Sequence, residues 1–136
     1  MAELRDNPNA FLETAPVRLR WEDKGLDRVD AAFQTESIAV RVTFELGDHG
    51  WHCGFKVKSD NPKDTVVYAF QVFGGVFQAV QDFLMIREPA AVIFSTTKPQ
   101  LAVIYRSYLS RHRDWIEGRG YRLDLEAMTL AKPELQ

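Results

Sequence analysis

The chain has 136 residues, 46% of them hydrophobic and 26% charged, enough apolar matter for one ordinary globular core. A formal net charge of −2 excludes the global positive field that gathers nucleic acid or anionic membrane surfaces, so composition argues against a nucleic-acid partner. One cysteine excludes an internal disulfide, and neither an apolar leader nor an apolar run near the roughly 18 residues of a membrane span is present, so a cytoplasmic protein without a membrane segment is expected.

Residues 1–16 read as an N-terminal arm or a short helix, capped near Asn7-Pro8 and anchored by Phe11 and Leu12. Val17, Leu19 and Trp21 alternate with Arg18, Arg20 and Glu22, which is strand periodicity. Val29, Ala31 and Phe33 alternate as well and are read as a strand, although Leu26, Val29 and Phe33 would also suit a helix stripe. Ile38, Val40, Val42, Phe44 and Leu46 then alternate with polar or small residues. Thr65 to Phe70 is β-branched and aromatic and reads as a further meander strand or the first turn of a helix.

From Gln71 the period changes. Val72, Phe73, Val76, Phe77, Val80, Phe83 and Leu84 make a wide helical stripe that stops before Pro89. Ala91 to Phe94 reads as a strand buried on both faces, and Thr97-Lys-Pro-Gln100 has the form of a capping box opening a helix to about Glu117. Gly118 and Gly120 end that helix, Tyr121, Leu123 and Leu125 open a last strand, and residues 130–136 read as a C-terminal tail. The expected fold is a single α+β domain over residues 1–136: a mostly antiparallel β-meander, then α-β-α-β, with two main helices packed on the sheet.

The stretch Gly47-Asp-His-Gly-Trp-His-Cys-Gly-Phe55 gathers two of the three histidines and the only cysteine. It offers a metal site, a reactive thiol or a hairpin turn. Successive side chains of a strand point to opposite faces, so His52 and Cys53 cannot share one metal. Cys53 falls on the face of Trp51 and Phe55, where a thiol behaves as a small hydrophobe. Glu45 falls opposite His52 as a cross-strand ion pair. A turn is therefore expected, and no metal site.

Gln71-Val-Phe-Gly-Gly-Val76 lies at an expected strand-to-helix junction, where glycines let backbone amides approach an anion at the positive end of a helix. Read alone, the glycine pair equally allows a close helix-to-sheet approach. The segment resembles the pyrophosphate loop of the GCN5-related N-acyltransferases: Gln or Arg, two residues, Gly, any residue, then Gly or Ala, before an apolar helix. Gln71 and Gly74 match, and Val76 departs from the pattern. The order of strands and helices over residues 38–125 is similar to that family too. The resemblance implies acetyl-coenzyme A as cofactor, with Gln71, Gly74, Gly75 and Val76 at its pyrophosphate. It also implies Tyr105 as the catalytic acid that protonates the leaving thiolate. Lys98 stands where the family often has Asn, Gly120-Tyr121 stands in place of its closing Gly-Phe, and Glu45 is the candidate base.

A second resemblance is to small phage and prophage proteins of α+β type, carried by Val72-Phe73, Ile93-Phe-Ser95 and the Leu101-to-Tyr105 spacing. It implies no activity and points instead to a non-enzymatic protein that binds a protein partner through its surface. The stretch from Tyr105 to Arg122 interleaves arginines with aromatics. On a helical wheel Arg106, Ser110, Arg113 and Glu117 share one face opposite Tyr105, Tyr108 and Trp115, so the aromatics belong to the core and the arginines to a solvated face.

Overall fold

The structure, a computed structural model, describes residues 17–35, 38–59 and 69–133. Within them lie seven strands: β1 (Arg20–Asp23), β2 (Arg28–Thr35), β3 (Ile38–Gly47), β4 (Gly50–Ser59), β5 (Ala91–Phe94), β6 (Arg122–Asp124) and β7 (Thr129–Ala131). The helices are α1 (Ala69–Arg87), α2 (Pro99–Arg111) and α3 (Arg113–Gly118). The strands form one sheet in the order β1-β2-β3-β4-β5-β7-β6, an α+β arrangement. The chain divides into two compact units: the described residues among 17–43 and 55–88, and those among 44–54 and 89–133. The expected N-terminal arm or helix lies outside the described residues, as do residues 65–68 of the expected extra meander strand.

In the first unit β1 and β2 are antiparallel, with Arg20 opposite Ala32 and Glu22 opposite Asp30. Alternation decides which side chains are covered. Val29, Ala31 and Phe33 of β2 are buried, as are Ile38, Val40 and Val42 of β3. The strand reading of Val29–Phe33 holds, and the helix alternative does not. The stripe of α1 packs as its period requires, with Val72, Val76, Phe77, Val80, Phe83 and Leu84 all buried. Each such side chain removed from water contributes about 1.5–3 kcal/mol. Ala69 and Phe70 are already helical, so the helix begins before Gln71 and the strand reading of those two residues is corrected. The helix ends at Arg87 because Glu88 takes a left-handed φ of 45° and Pro89 follows. The Gln78 amide clips Val17, donating to its carbonyl at 2.8 Å and accepting from its N–H at 2.9 Å.

In the second unit β4 and β5 run parallel, pairing Trp51 with Val92, His52 with Ile93 and Cys53 with Phe94. On its other edge β5 pairs antiparallel with β7, and β7 with β6. The region after Tyr121 is therefore a hairpin of two strands rather than one strand. Its turn uses Met128 at φ 53° and the Asp124 carboxylate, which accepts from Ala127 N–H at 3.0 Å. Leu130 is fully buried and Leu130-Ala131 are paired in the sheet, where the sequence reading begins a tail. The helix expected to run unbroken to Glu117 is interrupted at His112, which leaves helical geometry at φ −104°, ψ 17°. Lys98 is the N-cap residue of α2, with Pro99 inside the first turn and no side-chain cap, so the Thr97 capping box does not form. Instead Thr96 Oγ1 accepts from Lys98 N–H at 3.0 Å.

One buried charge sits on β2. Asp30 is 1% exposed, and its carboxylate accepts from Arg28 Nε at 3.1 Å and from an Arg41 terminal nitrogen at 2.9 Å. Burial pushes this carboxyl up, but the hydrogen bonds from Arg28 and Arg41 outweigh it and hold it below the usual aspartate value. A depressed folded value means that the stabilisation is present above the unfolded-state pKa of about 3.9 and is lost as pH falls through the folded value. Urea melts should show stability declining below about pH 4, and Asp30→Asn should flatten that decline. The same change should cost about 1–2 kcal/mol at neutral pH, because both arginines are half-exposed and water screens what they lose.

Candidate functional site

The Gly47–Phe55 stretch is a hairpin. Asp48 and His49 form the turn between β3 and β4, and both are exposed. Gly50 has φ 146°, and a Cβ on it would lie 2.8 Å from the Ala91 Cβ of β5, so only glycine lets β4 approach β5 there. Cys53 is 1% exposed, and burial raises its thiol far above the ordinary range. His52 does not pair with Glu45, which is exposed. Its Nδ1 lies 3.2 Å from Ser95 Oγ. Among the described residues no three His, Cys, Asp or Glu side chains gather where a metal could bind.

The pyrophosphate-loop candidates sit differently from the sequence expectation. Gln71, Gly74, Gly75 and Val76 lie within α1 and not in a loop before it. In a helix that has begun by Ala69, the amides of residues 74–76 donate to carbonyls four residues earlier. Gly75 is buried, and a Cβ placed on it would overlap the ring of Phe33. Its missing side chain is filled by β2, which lets the helix lie close on the strand. Val76 is fully buried in the same stripe.

Tyr105 lies in the second unit, on α2. Its ring packs on Phe94 with centroids 5.4 Å apart, and it is 1% exposed. Burial raises the phenol, and the neighbouring Cys53 thiol raises it further. The tyrosine therefore stands at the Cys53–Phe94 rung, the last of the parallel ladder. Tyr108 is buried as the wheel requires, whereas Trp115 is half-buried and Leu109 and Ile116 fill the core beside it, and Arg113 meets Glu117 at 3.9 Å on the solvated side. Arg106 instead donates from Nε to Leu125 carbonyl at 3.2 Å. Arg119 stacks over Trp115 at 5.8 Å.

A feature the motif search missed lies on the first unit. A groove of about 880 Å³ runs across the sheet face that carries Ala32, Gln34, Ala39 and Arg41. Arg18 and Arg20 edge it on one side, Lys56 and Lys58 on the other. The signal was present in the sequence as the polar half of each alternating strand, but strand order was needed to bring the two pairs onto one face. A smaller pocket of about 280 Å³ holds Asp82 beside Trp21, Phe83 and Ile86.

Comparison with family models, with curated proteins and with solved structures finds no match for this chain. No helix of the described residues is long and apolar enough to cross a membrane.

Gly75→Ala should destabilise by about 1–3 kcal/mol, because the overlap with Phe33 outweighs the roughly 1 kcal/mol that alanine gains in a helix. The double change with Phe33→Leu should recover part of that loss in a urea melt, since it shortens the ring that the new methyl meets. Cys53 should react slowly with a thiol reagent in the native protein and quickly in denaturant. Cys53→Ser should cost about 1–3 kcal/mol by burying a hydroxyl among apolar groups.

Proposed function

We propose that this chain is an acyltransferase-like domain that takes acetyl-coenzyme A as substrate, with Tyr105 protonating the leaving thiolate. The observation that carries the reading is the seat of Tyr105 at the final rung of a parallel strand pair. In the family that the sequence resembles, a gap between adjacent strands admits the pantetheine arm. Here the β4–β5 ladder closes at Cys53–Phe94, while β4 itself runs on to Ser59. The element order supports the reading as well: strands, α1, β5, α2, then further strands. Gly75 contributes by packing, its space being taken by Phe33, and the phosphate contacts are not assigned to Gly74, Gly75 and Val76.

In acyl transfer an amine attacks the thioester carbonyl, the carbon–sulfur bond breaks and the departing thiolate takes a proton. Burial favours the neutral phenol of Tyr105, the form that has a proton to give. The same burial makes it a weaker acid than the ordinary phenol, which sets a slow limit on turnover. Glu45 is exposed and is given no role as base.

Thermal melts with and without millimolar acetyl-coenzyme A test the proposal. Ligand at about 100 times its Kd should stabilise the fold by roughly 2.7 kcal/mol and raise Tm by several degrees. Tyr105→Phe should keep the shift while release of coenzyme A thiol, with a lysine peptide as acceptor, falls by on the order of 10²-fold. An unchanged Tm at saturating ligand overturns the acyltransferase reading. It leaves standing a second one, a non-enzymatic protein that binds a partner through its surface, which the cation-edged groove favours.

A further inference from the structure

We propose that the groove on the first unit docks an acidic α-helix of a protein partner. This deepens the surface-binding reading and is independent of acyl transfer.

The charges facing the groove are not all spent internally. Arg41 is held by Asp30 at 2.9 Å and Glu22 at 3.5 Å, and Arg20 lies 3.7 Å from Glu22. Arg18, Lys56 and Lys58 are exposed and take part in no ion pair among the described residues. A chain of net charge −2 thus concentrates unpaired positive charge on one concave face. Such local fields select and steer oppositely charged partners whatever the net charge.

The spacing identifies the shape of the occupant. β1 and β4 are separated by β2 and β3, so the two cation rows stand three strand spacings, about 14 Å, apart. A single extended chain, one strand spacing wide, would leave one row uncontacted. An α-helix of about 10–12 Å diameter fills the trough. Its floor carries Ala32 and Ala39, whose small side chains let a helix settle close to the sheet. Lys56 and Lys58 are two residues apart on β4, about 6.8 Å, and Arg18 leads into β1 two residues before Arg20. Carboxylates at i and i+4 on a helix are about 6 Å apart along its axis, so one acidic pair meets Arg18 and Arg20 and another meets Lys56 and Lys58.

The same face is poorly made for single-stranded nucleic acid. Base stacking needs exposed aromatic rings, and the one ring in the lining, Phe33, is 5% exposed and turned to the core. A continuous polyanion following β1 would also meet Glu22, two residues along from Arg20 on the same face.

The test uses the full chain and fluorescence anisotropy at low salt with three labelled probes. These are an alanine-based helical peptide with glutamates at i and i+4 on two flanks, a peptide of the same composition broken by prolines, and a thymidine oligonucleotide. The helical peptide should bind best, and Lys56→Glu with Lys58→Glu should weaken it at least about tenfold. The control pair Lys98→Glu with Arg122→Glu makes the same change in net charge outside the groove and should leave affinity within about twofold. Circular dichroism confirms that both variants are folded. Equal weakening by the two pairs overturns the groove while leaving a surface-binding protein. Tighter binding of the oligonucleotide replaces the occupant with nucleic acid, and tighter binding of the broken peptide rules out a helix. Binding of none of the probes overturns the groove as a docking site, while the surface-binding reading is judged separately by the acetyl-coenzyme A melt.

Discussion

The close approach of α1 to β2, made at Gly75 against the Phe33 ring, governs the first unit. A strand has two faces, and successive side chains alternate between them. With Val29, Ala31 and Phe33 turned toward apolar cover, Asp30, Ala32 and Gln34 must face the other way. β1 is in register with β2, so Arg20 and Glu22 join that outward face. The cation-edged groove is thus a consequence of which side the helix occupies. A glycine that by pattern invites an anion is used instead to set the distance between helix and sheet.

Charge on that outward face is sorted by burial. Hydrogen bonds from Arg28 and Arg41 favour the charged form of Asp30 and tie both arginines to it. Among the described residues Arg18, Lys56 and Lys58 take part in no ion pair. A mildly acidic chain can therefore carry a positive surface, and the net charge by itself does not describe the fields a partner meets.

The second unit depends on a different constraint. Parallel strands cannot be joined by a tight turn, so the chain between β4 and β5 must cross over, and α1 lies in that crossover. The parallel ladder is only three rungs long. Its end is closed by Phe94, Cys53 and the ring of Tyr105, whose burial raises the phenol's pKa by taking it from water. Tyr121 ties the other flank of this unit, donating its hydroxyl to the Pro89 carbonyl at 2.8 Å.

Periodicity determined much of this protein before any coordinates. The alternation at Val29–Phe33 and Ile38–Phe44, the stripe of α1 and the buried setting of Cys53 follow from side-chain spacing, because burial of a face is a local property of the repeat; Ala91–Phe94 is a strand as expected but fully buries only the face of Val92 and Phe94. The limits of elements were less legible. Helix α1 begins before the Gln71 boundary, His112 separates α2 from α3, and β7 reaches into residues expected to form a tail, since ends depend on caps and neighbours rather than on period. Strand order was the part that tertiary structure alone decided. Nothing local in Arg18-Leu-Arg20 or Lys56-Val-Lys58 says that the two pairs flank the same two strands, or in Gly74-Gly75 that Phe33, far earlier in the chain, fills the space beside the helix. Those facts are pairings between distant segments, and a one-dimensional pattern carries the face of each segment but not the identity of what that face meets.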